Sequence, residues 1–207
     1  MNYSIIDCYN IENDLLLKQM CKLHYEALSY RSFITNFGEK FLFTMYKLIL
    51  KKSIGFIAIA KKEDELAGFT LNVFNSSKLF PLILWNFLLF LPTMMPVLLK
   101  NPSLIKKTLL MALYGSKKNC EIQAELLVII VNESLRSQGV GEELIKNTNI
   151  HFGKKGIVEY IVTVHAVMTQ SNNFYKKVGM LLDAKHSFSF LGSDWNVYVN
   201  RLNTHEK

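Results

Sequence analysis

The sequence predicts an α/β fold built on a mixed, mostly antiparallel sheet flanked by helices, with a hydrophobic helical insert before the central strand. Three observations carry this. Strand-like and helical patterns follow one another in the order β-α-α-β-β, insert, β-α-β-α-β-β. Glu121 to Val131 (EIQAELLVIIV) is an almost continuous apolar run, as expected of a strand covered on both faces. A chain of 207 residues, 50% hydrophobic and 20% charged, can also bury a core that needs no disulfide or metal. Residues 1–207 therefore read as one domain, with the insert at about 75–120.

Asn2 to Tyr9 reads as a short strand, and Ile11 to Leu28 as a helix with Leu15, Leu16, Met20, Leu23 and Ala27 at helical spacing. The polar and aromatic link SYRSFITNFG leads to a second helix, Glu39 to Lys52, striped by Leu42, Met45, Leu48 and Ile49. Ile54 to Ala60 and Leu66 to Phe74 flank the charged turn KKEDE and predict an antiparallel hairpin. Beyond the central strand, Val140, Leu144, Ile145, Thr148 and Phe152 mark a helix. Ile157 to His165 is a strand, Ser171 to Val178 a short helix, and Leu181 to Phe190 and Trp195 to Leu202 close the sheet.

Leu79 to Leu99 breaks this pattern with 21 uncharged residues, 16 of them strongly apolar. That satisfies the length criterion for a membrane span. Pro81, Pro92 and Pro96 oppose one straight helix, and a single crossing would separate strands that belong to one sheet. The expectation is a set of broken helices folded over one side of the sheet. Asn101-Pro102 opens a further helix through about Tyr114, whose Leu104, Ile105, Leu109 and Leu113 offer an apolar face. A homodimer or a peripheral membrane contact through residues 79–114 are the alternatives for the exposed apolar surface.

The chain has 24 Lys and Arg against 17 Asp and Glu, a net charge of +7. No acidic residue lies between Glu65 and Glu121, where Lys78, Lys100, Lys106, Lys107, Lys117 and Lys118 concentrate the excess. This segment has no arginine, and no zinc-finger or other nucleic-acid motif is present, so no nucleic-acid partner is expected. Cys8, Cys21 and Cys120 are odd in number and irregularly spaced, which favours a reducing compartment over a disulfide framework. No signal-peptide pattern opens the chain, so the expected location is cytoplasmic, with membrane-peripheral contact as the variant. No metal-ligand motif and no G-x-S-x-G elbow is present; Cys120 has no histidine beside it in sequence.

The chemistry concentrates in Val128 to Ile145, VIIVNESLRSQGVGEELI. An apolar strand enters a polar loop, then Arg136-Ser137-Gln138-Gly139-Val140-Gly141, then a helix. Glycines free the backbone to turn, and a helix N-terminus adds partial positive charge, which together can cradle a pyrophosphate. A lone G-x-G is also compatible with a plain tight turn. One helix and one strand later comes Phe174-Tyr175-Lys176-Lys177-Val178-Gly179-Met180. Glu125 is a carboxylate in an otherwise apolar strand, and simple alternation places it on the face of Leu127, Ile129 and Val131. Burial there would raise its pKa toward that of a general base; a solvent-facing glutamate at a strand end is the other reading.

These passages resemble the GNAT superfamily of acetyl-CoA-dependent N-acetyltransferases, whose pattern is V-x-P-x-x-[RQ]-x-x-G-x-[GA] followed by N-x-x-A-x-x-[FY]-Y-x-x-x-G-F. Val131, Arg136, Gly139 and Gly141 match the first part; Phe174, Tyr175 and Gly179 match the second. Glu133 stands for the proline, Met168 for the asparagine that contacts the cofactor, and Met180 for the last Phe. The resemblance implies acetyl-CoA between two splayed strands. Ile129, Ile130 and Val131 would hold the acetyl and pantetheine groups, and Arg136, Ser137, Gln138, Gly139, Val140, Gly141 and Glu142 the pyrophosphate. It implies Glu125 as base and Tyr175 as the acid that protonates the departing thiolate; His165, at the end of its strand, is either an auxiliary base or a structural histidine. A phenol of ordinary pKa, about 10, can serve that acid role.

The implied reaction is direct transfer to a primary amine of a small molecule. Phe33 to Leu50 resembles the early helices of GNATs associated with surface-polysaccharide building, which implies an amino sugar. A basic insert would suit a nucleotide-linked one. A peptide acceptor and a non-catalytic acyl-CoA-binding module are the competing classes.

Overall fold

The computed structural model describes residues 4–8, 14–29, 32–63, 65–115, 121–190 and 192–202. Its elements are β1 (Ser4–Cys8), α1 (Asp14–Leu28), α2 (Glu39–Lys51), β2 (Gly55–Lys62), β3 (Glu65–Val73), α3 (Leu79–Trp85), α4 (Phe87–Lys100) and α5 (Ser103–Gly115). They continue with β4 (Glu125–Val131), α6 (Val140–Lys154), β5 (Glu159–His165), α7 (Thr169–Lys177), β6 (Leu181–Phe190) and β7 (Ser193–Arg201). The predicted order holds throughout. Cys120, Lys117 and Lys118 lie outside the described residues, as do the ends of the first predicted strand and the start of the first predicted helix.

Seven strands form one sheet in the order β1-β2-β3-β4-β5-β7-β6. All neighbouring pairs are antiparallel except β4 with β5, which run parallel. Alternation sorts the side chains between two layers. Ile57, Ile59, Phe69, Leu71, Val73 and Ile130 pack under α1 and α2. On the other face, Leu126, Tyr160, Val162, Val164 and Tyr198 pack against Ile145 and Phe152 of α6 and Tyr175 of α7. The central strand begins at Glu125, four residues later than its apolar run suggests.

A bulge corrects the simple reading of β4. Leu71 pairs with Val128, but Asn72 pairs with Leu126, so Leu127 is the extra residue. Directly opposed residues share a face. Glu125 opposes Val73, which packs in the α1–α2 layer, whereas Ile129 opposes Thr70, whose hydroxyl meets Thr148 of α6. Glu125 therefore lies on the opposite face from Ile129, not on the same one.

The insert is helical and broken, but the prolines do not break it. α3 and α4 meet at an angle of 82° across Asn86, whose side-chain amide donates to the Leu82 carbonyl at 2.8 Å. Pro92 and Pro96 sit inside α4. Both lie on its exposed side, where the carbonyls they leave without a donor can reach water. The inner side of α4 carries Phe90, fully buried and 5.0 Å from the Phe41 ring of α2, with Met94, Val97 and Leu98 around it. The insert is thus an outer layer on α2. The side chains of Leu109 and Leu113 are outside the described residues. Among the described residues no single helix is long and apolar enough to cross a membrane, although α3 and α4 together reach that length and composition as a bent pair.

Candidate active site

The parallel pairing of β4 and β5 is confined to Glu125 opposite Ile161. The Ile161 amide donates to the Ala124 carbonyl at 3.0 Å, and beyond this point the two strands part. Between Leu127–Val131 on one side and Thr163–His165 on the other opens a cleft of about 550 Å³. A cleft at the split of a sheet exposes backbone groups that the ladder would otherwise satisfy, which suits an extended polar ligand.

One end of the cleft is the loop into α6. Asn132 accepts from the Ser134 amide and hydroxyl, which tightens the first turn. Ser137 at φ 61° and Gly139 at φ 85° then take left-handed conformations. The strained serine gives no signal in the sequence. The first helical bond of α6 runs from the Glu143 amide to the Gly139 carbonyl, so the amides of Val140, Gly141 and Glu142 precede the ladder. Gly139 offers them no side-chain cap. A side chain at Gly141 would meet the Phe174 ring at 3.1 Å, so this glycine lets α7 close against α6. Lys177 of α7 pairs with Glu142 of α6 at 2.7 Å and holds that carboxyl below its usual pKa range.

Ile129, Ile130, Val131, Arg136, Ser137, Gly139, Val140, Gly141, Glu142 and Tyr175 all line the cleft; Gln138 does not. Gln138 instead donates to the Ser134 carbonyl at 3.1 Å. Tyr175 is buried against Phe174 and Tyr198, and burial raises its pKa well above the usual phenol value. Glu125 is also buried but is not a lining residue. The Thr163 hydroxyl, which does line the cleft, donates to Glu125 Oε1 at 3.1 Å. His165 lines the cleft with its ring 4.9 Å from that of Trp195. Met168, at the position of the family asparagine, is a lining residue too.

Thr163, Asn172 and Trp195 are new relative to the sequence reading. Asn172 is a buried brace. Its amide donates to the carbonyls of Met168, His165 and Ala166 at 2.8, 3.1 and 3.3 Å. Its oxygen accepts from Asn196 at 2.7 Å and the Tyr198 hydroxyl at 3.0 Å. Ala27, Leu28, Ser32, Ile34, Gln170 and Trp195, all uncharged, also line the cleft. Among the described residues no side chain of the insert lines the cleft; α4 packs on α2 and touches the turn Phe33–Phe37, whose Ile34 is a lining residue. Among the described residues no group of three potential metal ligands is gathered.

The Acetyltransferase (GNAT) family model matches residues 18–180. No curated protein matches the sequence. Solved structures share the fold at low identity. An acetyltransferase of the GNAT family from Desulfovibrio desulfuricans is 11% identical, with a TM-score of 0.62 over 98% of this chain and 100% of its own. An N-acetyltransferase from Staphylococcus aureus is 12% identical, with a TM-score of 0.57 over 94% and 100%. A GNAT family acetyltransferase from Elizabethkingia anophelis, solved with acetyl-CoA bound, is 15% identical with a TM-score of 0.50 over 97% and 99%.

Proposed function

The chain belongs to the GNAT family of acetyltransferases, and from that premise we propose that it transfers acetyl from acetyl-CoA directly to a primary amine of a small molecule. The observation that carries this reading is the strand split ending on three uncapped helix amides, at Val140, Gly141 and Glu142. Such amides, with Arg136 and Lys177 beside them, fit a pyrophosphate. Ile129, Ile130 and Val131 would align the pantetheine arm along the free edge of β4. Acetyl-CoA supplies an activated thioester carbonyl.

In a direct transfer a C–N bond forms, the C–S bond breaks, the amine loses a proton and the sulfur gains one. Glu125 accepts the amine proton, by way of the Thr163 hydroxyl that joins it to the cleft. Tyr175 returns a proton to the sulfur. Its buried phenol stays protonated, which keeps the acid loaded. The two groups stand on opposite faces of the sheet with the split between them, consistent with one reacting centre addressed from both sides.

A neutral amino sugar is the acceptor class this reading favours. The resemblance of Phe33 to Leu50 to the early helices of GNATs associated with surface-polysaccharide building supports it, and Ala27, Leu28, Ser32 and Ile34 line the cleft without charge. Of the insert lysines among the described residues, Lys78, Lys100, Lys106 and Lys107 do not line the cleft, so these four lend no counter-charge to a sugar diphosphate.

Calorimetry with acetyl-CoA tests the binding step. Gly139→Asp puts a carboxylate among the uncapped amides, and Asp tolerates the left-handed backbone better than most residues. Binding to the parent and its loss in this variant, with an unchanged circular dichroism spectrum, are expected. Equal binding would refute the phosphate-loop assignment. An acetyl-CoA-dependent screen of amino sugars, nucleotide sugars, polyamines and peptides then identifies the acceptor.

A further inference from the structure

We propose that the outer face of the α3–α4 bend seats on an anionic lipid surface, with its apolar side chains in the interfacial layer and the insert's lysines against the headgroups. The helix α4 is apolar on two sides. Its inner side is used by Phe90, Met94, Val97 and Leu98, which pack toward α2. Its outer side carries Leu88, Pro92, Met95 and Leu99 at helical spacing, all exposed; Leu88 is 67% and Leu99 73% accessible. Trp85, at the bend, is 86% accessible, with Leu84, Phe87 and Leu89 exposed beside it. A contiguous apolar surface of this kind is costly in water and marks a contact site.

Charge decides the occupant. No acidic residue falls between Glu65 and Glu121, while Lys78, Lys100, Lys106 and Lys107 of the same segment are exposed. A second copy joined through the same face would set these lysines against one another with no carboxylate of the insert to offset them. An anionic bilayer supplies the missing counter-charge and takes the apolar side chains as well. Tryptophan at the bend suits the boundary between headgroups and hydrocarbon. The 82° bend makes a shallow wedge rather than a straight span.

The same helix adjoins the cleft. α4 contacts the turn Phe33–Phe37, and Ile34 of that turn is a lining residue.

Co-sedimentation of the full chain with vesicles tests the proposal. One set is phosphatidylcholine alone; the other is an equal mixture of phosphatidylcholine and phosphatidylglycerol. Sedimentation with the mixed vesicles only, weakened by high salt, is expected. Trp85→Ser with Leu88→Ser should weaken it at least roughly tenfold, as should Lys100→Glu with Lys106→Glu and Lys107→Glu. All five positions are exposed, so thermal melts should match the parent. If the serine variant does not fold, the charge reversal carries the test alone. Failure to sediment with the mixed vesicles, or equal sedimentation with both sets, overturns the proposal. So does a dimer by light scattering that Trp85→Ser with Leu88→Ser converts to a monomer in the absence of vesicle binding.

Discussion

The Thr163 hydroxyl donates to Glu125 Oε1 at 3.1 Å, beside the single residue pair that joins β4 to β5. The contact spans the base of the cleft and gives a buried carboxylate a polar link to it. Glu125→Gln keeps an oxygen for Thr163 but removes the proton acceptor, and kcat is expected to fall by ~10²–10⁴. Thr163→Val keeps the shape and severs the link, so kcat should fall in the same direction. Affinity for acetyl-CoA should stay within a few-fold in both. Full activity of the glutamine variant across pH would remove Glu125 from the chemistry; loss in that variant alone would leave Glu125 acting without Thr163.

Tyr175 is expected to behave as an acid that titrates late. Burial raises its pKa, with Tyr198 adding to the shift, so ionisation of this phenol should not produce an alkaline fall in rate near pH 10. Tyr175→Phe preserves the packing with Phe174 and Tyr198 while removing the proton. A drop of ~10²–10⁴ in kcat at little cost in stability is the expected outcome, read by steady-state rates and urea melts. An unchanged kcat would show that solvent protonates the sulfur.

What the sequence revealed, and what it hid, divides by range. The loop into α6 was legible because Gly139 and Gly141 act within one turn of the residues they serve. The element order was legible because each apolar period is local. The face of Glu125 was not, because the bulge at Leu127 exists only in the pairing with β3. Asn86, rather than Pro92 or Pro96, breaks the insert because water on the exposed side of α4 can meet the carbonyls the prolines leave unpaired. Thr163, Asn172 and Trp195 are ordinary residue types whose meaning depends on contacts across the chain, such as Thr163 to Glu125, Asn196 to Asn172 and Trp195 to His165.

His24 makes acid stability a test of the α1–α2 layer. Its ring is fully buried, with Nδ1 2.5 Å from the Tyr46 hydroxyl, and burial lowers its pKa from 6.5 to about 4. Between these values the unfolded chain binds a proton that the folded chain does not, so stability falls as pH falls from 6.5 toward 4. The loss from this group is at most roughly 3 kcal/mol, and below the folded value it grows no further. Urea midpoints taken from pH 7 to pH 4 should decline in the parent and decline less in His24→Gln, whatever that variant's starting stability. Parallel curves would assign the acid loss to other groups.

Asn172 holds the cleft wall in a different way, through hydrogen bonds alone. Its amide gathers the carbonyls that end β5 and start α7, and its oxygen receives Asn196 and Tyr198 from β7. Asn172→Ala leaves these buried partners to compete for water they cannot easily reach, at an expected cost of about 2–4 kcal/mol. Asn172→Asp retains the acceptor but turns a carboxylate oxygen toward three carbonyls, so it should not recover the stability. Tyr175 lies three residues along the same helix, and its ring rests 5.6 Å from that of Tyr198. Both variants should therefore lower kcat as well as the urea midpoint, with the rate loss persisting at temperatures where the fold remains intact by circular dichroism. A variant that loses stability but keeps full kcat would show that the position of Tyr175 is set by the aromatic packing and not by this network.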